Sequence, residues 1–167
     1  ITNDQYIIAG SINETSTNEN ILLAVFNKDG SLDEKVGSNG IVMYDFFDVE
    51  YMPKLYIRND GSILVKIHAK SESSEYLPFI VKLNHDLTVD KSFGKDGIII
   101  LSTDDYPGDL VFSDKNIFIG GKNENDLYLA KLNPDGSYYT SFGNNGSIST
   151  DLGGFDGIEF ISLLSDN

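Results

Sequence analysis

The hydrophobic positions of this chain fall in short runs that are separated by polar and glycine-rich segments. The most apolar runs cover residues 22–26, 63–67, 79–83, 117–121 and 128–132. Runs of this length, flanked by turn residues, are typical of strands and too short for helices. Weaker runs of the same kind are present at residues 6–11, 41–44, 54–57, 98–101, 109–112, 147–150 and 158–163. Since no longer stretch keeps a 3.6-residue apolar period, the sequence predicts an all-β fold with almost no helix.

A fifteen-residue phrase occurs three times and divides the chain into repeats. The copies begin at Asn27, Asn84 and Asn133, 57 and then 49 residues apart, and read NKDGSLDEKVGSNGI, NHDLTVDKSFGKDGI and NPDGSYYTSFGNNGS. Their aspartates and glycines are turn residues, because glycine tolerates positive φ and an aspartate side chain can accept hydrogen bonds from nearby amides. Four predicted strands per repeat at this spacing indicate the four-stranded blades of a β-propeller.

The phrase also sets the predicted repeat boundaries. We expect the end of a blade at 1–20, repeat 1 at 21–76, repeat 2 at 77–126, and a partial repeat 3 at 127–167 that an N-terminal strand completes. About three blades are too few for a closed propeller, which uses roughly four to eight. The chain is therefore expected to close a six-bladed ring as a head-to-tail homodimer, or to be part of a longer chain with adjoining repeats.

Composition excludes several classes of function. The 167 residues include 26 acidic and 12 basic side chains, a formal net charge of −14, so nucleic acid is not an expected partner. Cysteine is absent, which excludes disulfides and thiolate chemistry. The two histidines, His68 and His85, have no second histidine at metal-ligand spacing, and His85 is expected to be exposed. No apolar run approaches the roughly 20 residues of a transmembrane helix, so no transmembrane segment is expected.

The third copy of the phrase carries a family resemblance. Residues 132–137 (LNPDGS) and 141–146 (SFGNNG) resemble the delta-60 repeat, a bacterial β-propeller-like repeat family. The resemblance implies a propeller-like fold and a secreted or cell-surface protein of a bacterium, with the periplasm as a further location. It implies no reaction, because no catalytic signature of the family can be carried over to residues of this chain.

Acidic residues recur at equivalent places between the copies of the phrase. If a ring closes, carboxylates from these connections converge on one mouth of its channel, where hard cations such as calcium are bound by oxygen ligands. The alternative is that variable acidic loops are simply solvated. The candidate metal ligands are Asp48, Asp104, Asp105, Asp109 and Asp156. Aspartates of the phrase itself are explained by turns, since the spacing of a calcium-binding loop is not present.

Aromatic residues accompany these acids. An exposed aromatic face beside carboxylates is typical of carbohydrate sites, where rings stack on sugar faces and oxygens bind hydroxyls. The alternative is that the same rings pack between blades. The candidate ligand-binding residues are Phe46, Phe47, Tyr51, Tyr106 and Phe155.

Three functions follow from these patterns. The first is a noncatalytic binding or adhesion module that takes a carbohydrate, a protein or a cation, and repetition favours it because an active site usually makes one copy diverge. The second is an enzyme of glycosidase or lyase type that uses carboxylates at the propeller mouth. The third is a purely structural element of a repeat array. No catalytic residue is assigned, and no cofactor other than calcium is considered.

Overall fold

Strands make up the regular structure of this chain. The computed structural model describes residues 4–15, 18–47, 49–70, 76–102, 105–113 and 115–164, without the side chains of residues 14, 15, 18 and 105. These residues form eleven strands and no helix, which confirms the predicted all-β fold. The strands are β1 (Gln5–Thr15), β2 (Asn18–Asn27), β3 (Ile41–Tyr44), β4 (Val49–Ile57), β5 (Ile63–Lys70), β6 (Tyr76–Leu83), β7 (Ile98–Ile100), β8 (Asp105–Phe112), β9 (Ile117–Asn123), β10 (Asp126–Leu132) and β11 (Ser147–Thr150).

All but one of the predicted strands coincide with an observed strand. The exception is the run at 158–163, which forms no strand. Its backbone makes other contacts: the Ile158 N–H donates to the Gly121 carbonyl at 3.0 Å, and the Ile161 N–H donates to an Asp109 carboxylate oxygen at 3.4 Å. The prediction was wrong here because an apolar run becomes a strand only where another strand pairs with it.

The chain divides into two compact units, Ile1–Asp90 and Lys91–Asn167. Unit 1 contains β1 to β6. Strand β2 pairs antiparallel with β1 and β3, and β5 pairs antiparallel with β4 and β6. A single parallel pair, Glu19 with Val49, connects β2 to β4.

The core of unit 1 is formed by the central strands. Strand β5 is buried over seven consecutive residues, so both of its faces are covered. This burial agrees with its near-continuous apolar sequence, since alternation is expected only where one face meets water. The fully buried large side chains of β2, β5 and β6 are Ile21, Leu23, Ile63, Leu64, Ile67, Phe79, Ile80 and Leu83.

Unit 2 contains β7 and a four-stranded antiparallel sheet in the order β11-β10-β9-β8. This sheet is one complete propeller-type blade, in which consecutive strands are neighbours. The pairing of β8 with β9 has a bulge between Pro107 and Asp109. The buried side chains include Phe93, Ile117, Ile119 and Leu132.

The repeated phrase forms the turns that the sequence predicts. In each copy an aspartate Oδ1 accepts hydrogen bonds from the amide and the hydroxyl of the residue two positions later. The accepting and donating residues are Asp29 with Ser31 (3.0 and 2.7 Å), Asp86 with Thr88 (3.0 and 2.6 Å) and Asp135 with Ser137 (2.9 and 2.7 Å). A fourth turn outside the phrase, Asp60 with Ser62, has the same geometry. We call this arrangement the aspartate clip.

The clip changes the acidity of its carboxylates. The hydroxyl and then the amide of Ser31 lower the pKa of Asp29, and Ser137 lowers the pKa of Asp135 in the same order. Hydrogen bonds that stabilise the charged form have this effect. The phrase aspartates therefore serve the turn, as predicted.

Candidate functional site

Two of the five candidate aromatic residues are packed inside unit 1. The rings of Phe46 and Phe47 meet the buried Phe79 ring edge-on, with centroids 5.6 and 5.0 Å apart. The buried Glu50 carboxylate holds this connection in place, because its Oε1 accepts the Phe46 N–H at 2.6 Å and also the Phe47 N–H. Half-buried rings with these neighbours have little face left for a ligand.

Tyr51 is also engaged within unit 1. Its ring stacks on His68 with centroids 6.0 Å apart, just before a bulge where Met52 has a φ of 53°. His68 is buried, and its Nδ1 lies within hydrogen-bond distance of the Tyr76 hydroxyl. Burial, and then the nearby Lys66 ammonium, lower the pKa of His68 to about 4. The imidazole is therefore neutral at physiological pH. His85 is exposed, as predicted.

In unit 2, by contrast, the candidate aromatic residues face solvent. Tyr106 is 45% exposed near the start of β8. It pairs across the sheet with Lys122, whose Nζ lies 5.5 Å from the centre of the Tyr106 ring. This distance is within the range of a cation–π interaction. One face of the tyrosine ring is thus held by a lysine while much of the side chain is accessible.

Phe155 lies at the tip of a closely bonded loop, residues 151–157. The Asp151 carboxylate accepts the Gly153 N–H at 2.7 Å, and the Asp156 carboxylate accepts the Leu152 N–H at 2.8 Å. Gly153 and Gly154 have φ values of 89° and 108°, which L side chains rarely adopt. The loop therefore depends on its glycines and presents Phe155 with 89% of its surface exposed.

The loop is fixed beside Lys122. The Asp156 N–H donates to the Asn125 carbonyl in the β9–β10 turn at 2.7 Å. A Cβ on Gly157 would lie 3.6 Å from Cβ of Lys122. Lys122 therefore lies close to Gly157 of the loop and to the Tyr106 ring. We call Tyr106, Lys122, Phe155 and Asp156 the aromatic surface of unit 2.

The candidate metal ligands are placed unevenly. Asp48 and Asp104 lie outside the described residues, as does the side chain of Asp105. Asp109 is buried at the β8 bulge, where it accepts the Ile161 N–H, and Asp156 closes the loop described above. Across the part of the chain that the structure describes, no three acidic or histidine side chains are grouped to hold a metal ion. Calcium binding stays a prediction of the sequence.

Sequence reasoning did not identify two of the residues that shape these regions. The sequence does not distinguish Glu50 from the other acids of its connection, because its burial and its bonds to two amides depend on the fold. Lys122 follows the apolar run at 117–121 and resembles any solvated lysine. Its pairing with Tyr106 depends on the register of β8 and β9, which the bulge sets.

Comparison with known proteins supports the propeller-type fold. Residues 113–142 match a family described as a domain of unknown function (DUF5122) beta-propeller. The match covers β9, β10 and most of the third copy of the phrase, so the chain contains a propeller-like repeat. No curated protein and no solved structure matches the chain. Within the described residues, no helix has the length and apolar character needed to cross a membrane.

Proposed function

We propose that this chain is a noncatalytic binding or adhesion module of a bacterial secreted or surface protein, and that it binds a carbohydrate at the aromatic surface of unit 2. Its repeats are taken to be delta-60 repeats, on the resemblance of residues 132–137 and 141–146. The observation that carries the proposal is the exposure of Phe155 on a loop that hydrogen bonds hold in one conformation. Leu152 on the same loop is also largely exposed, and apolar side chains that are exposed together mark interaction sites more often than single ones do.

The chemistry of the surface suits a sugar. Tyr106 and Phe155 offer ring faces for stacking, while the Lys122 ammonium and the Asp156 carboxylate offer a donor and an acceptor for hydroxyl groups. The loop is held by hydrogen bonds in the unbound chain, so binding costs little ordering entropy. Phe46, Phe47 and Tyr51 give no comparable surface, because they pack against Phe79 and His68.

The test is a glycan array probed with the whole chain, followed by calorimetric titration of the glycan that gives the strongest signal. We expect Phe155→Ala and Tyr106→Ala each to weaken binding by about tenfold or more, since a buried aromatic anchor commonly contributes more than 1 kcal/mol.

Tyr139→Ala is the matched control. Tyr139 is also an exposed tyrosine with a lysine over its ring, Lys131 at 4.1 Å, but it lies toward the other end of β10. Its replacement is expected to leave binding unchanged. An array without signal, or binding that survives Phe155→Ala, would contradict the proposal. A protein ligand would instead be indicated if the chain binds only proteins that carry no glycan, and if Phe155→Ala abolishes that binding.

A further inference from the structure

Strand β1 occupies the same place in its sheet as β5 and β9 do in theirs. Within its first two residues, each of these strands pairs with the residue that directly precedes a copy of the phrase. The pairs are Tyr6 with Phe26, Ile63 with Leu83, and Ile117 with Leu132. Tyr6, Ile63 and Ile117 are therefore equivalent positions, and so are Ile8, Val65 and Ile119 two residues later.

The equivalent strands differ in what lies along their other edge. Strand β4 pairs antiparallel with β5, and β8 pairs antiparallel with β9. Strand β1 pairs with β2 alone in the described part of the chain. From Tyr6 onward, the other edge of β1 is a ready acceptor for a further strand.

The face of β1 is also uncovered. Tyr6 and Ile8 are 61% and 53% exposed, whereas their four equivalents in β5 and β9 are exposed by 1% or less. The sequence thus places apolar side chains at positions that are core in the other two repeats. Tyr6 and Ile8 therefore lack the cover that their equivalents have, and in the described residues no strand other than β2 is hydrogen-bonded to β1.

Residues 158–164 lack a strand partner in the described part of the chain, which complements the open edge of β1. Strand β4 starts beside the tip of the β1–β2 hairpin, where Val49 pairs with Glu19. Residues 156–164 start in the same way beside the tip of the β9–β10 hairpin, where Asp156 donates to Asn125. After this start β4 pairs with β5, but residues 158–164 form no strand and expose Phe160 and Leu164.

We propose that two copies of this chain associate, with residues 158–164 of one copy pairing antiparallel to β1 of the other. The pairing gives β1 the strand that β4 and β8 provide elsewhere, and it gives residues 158–164 the partner that β5 provides for β4. The apolar side chains Tyr6, Ile8, Phe160 and Leu164 are covered in the association. Backbone pairing supplies affinity, and the apolar face selects the register.

The test is light scattering on the whole chain after size-exclusion chromatography. We expect a mass twice the 18.4 kDa of one chain. Ile8→Glu, and separately Phe160→Glu with Leu164→Glu, are each expected to reduce the mass to that of one chain. Met43→Glu is the control. Met43 on β3 is exposed to almost the same degree as Ile8, 52% against 53%, but lies away from the proposed contact. It is expected to keep the doubled mass.

Mixing the two variants separates association from misfolding. The Ile8 variant retains an intact 158–164 segment, and the Phe160/Leu164 variant retains an intact β1. In a pair of identical variants, every contact between β1 and residues 158–164 contains a substituted segment. In the mixture, the intact 158–164 segment of the Ile8 variant can pair with the intact β1 of the Phe160/Leu164 variant. The doubled mass is therefore expected to return. The proposal is overturned if the unmodified chain has the mass of one chain at high micromolar concentration, or if the mixture fails to restore association.

Discussion

Units 1 and 2 build the same turn backbone with different side chains. The Asp90 N–H donates to the Lys82 carbonyl at 2.8 Å, and the Tyr139 N–H donates to the Lys131 carbonyl at 2.9 Å, at equivalent positions of the second and third phrases. In unit 1 the same lysine forms an ion pair with Asp90 at 2.8 Å. In unit 2 its equivalent lies over the Tyr139 ring. The backbone geometry is therefore independent of the kind of side-chain contact that accompanies it.

The central turn residue shows the same contrast. Leu87 has a φ of 67° and is buried, and its carbonyl accepts the Tyr44 hydroxyl at 2.6 Å. Gly136, its equivalent, has a φ of 88° and lies against Ile99. In unit 1 the Leu87 side chain fills the space at this turn, at a left-handed φ. In unit 2 the glycine has no side chain, and the turn backbone lies directly against Ile99. The units also differ in their buried ionisable side chains, since Glu50, Lys66 and His68 are buried in unit 1 and Asp109 is buried in unit 2.

The largest effect is expected at Gly136. A Cβ on this residue would lie 2.5 Å from Cδ1 of Ile99, whereas a Cβ on Gly30, at a similar φ, meets nothing within 4 Å. Gly30→Ala is expected to lower the free energy of unfolding by about 1 kcal/mol, the cost of the left-handed conformation. Gly136→Ala adds overpacking and is expected to cost about 3–4 kcal/mol in total. Urea denaturation measures both. Equal costs would show that the close approach at Gly136 is unimportant.

The next effect is a pH dependence that unit 1 carries. The pKa of His68 is about 4 in the folded chain, below the ordinary value of 6.5. The unfolded chain therefore binds more protons between these values, and stability present above pH 6.5 is lost as the pH falls towards 4. The loss is expected to reach about 3 kcal/mol. Urea denaturation from pH 7.5 to 4 measures it, with His85→Gln as the control.

His68→Gln is expected to flatten this pH profile, while His85→Gln leaves it unchanged because His85 is exposed. If the free energy of unfolding of His68→Gln falls with pH as steeply as that of the unmodified chain, the pH dependence comes from another group.

A moderate effect is expected from Leu87→Ala. Truncation of a buried leucine costs about 2–3 kcal/mol even in sites that relax. Leu152→Ala removes the same atoms from a largely exposed side chain and is expected to change stability by less than about 0.5 kcal/mol. Thermal unfolding of the two variants provides the comparison. A small loss at Leu87 would mean that the third phrase, with glycine at this position, is the more favourable turn.

The smallest effects concern the two lysine contacts. Asp90→Asn is expected to cost about 1 kcal/mol, and less in 1 M salt, because it removes one partner of a mostly buried ion pair. Tyr139→Leu is expected to cost about 0.5 kcal/mol, since an exposed cation–π contact contributes little. Urea denaturation at low and high salt measures both. A Tyr139→Leu cost that stays the same when Lys131 is replaced by Met would contradict the assignment of this contact as cation–π.

The strands could be predicted because their signals are local. Apolar runs of five residues between polar turn residues define β2, β5, β6, β9 and β10 directly. The pattern at 158–163 has the same local signal, yet no strand forms there. Pairing depends on a second segment, and neither the length nor the alternation of a run reports whether that segment is present.

The candidate site could be predicted only in part, for a similar reason. Phe46 and Phe155 are aromatic residues at equivalent places between copies of the phrase. One packs on Phe79, more than thirty residues away, and the other is held away from the sheet by a loop with two glycines at positive φ. The sequence identifies the residue type and its place in the repeat. Burial is decided by residues distant in the chain, which a local pattern does not contain.

The aspartate clip has a consequence for how such chains can change. All of its aspartate hydrogen bonds close within three residues, as between Asp60 and Ser62, which lie outside the phrase altogether. A segment that carries a clip brings its own satisfied turn with it wherever it is inserted. Duplication can therefore add a repeat without a matching change in its neighbour, and the surfaces between turns are left to diverge.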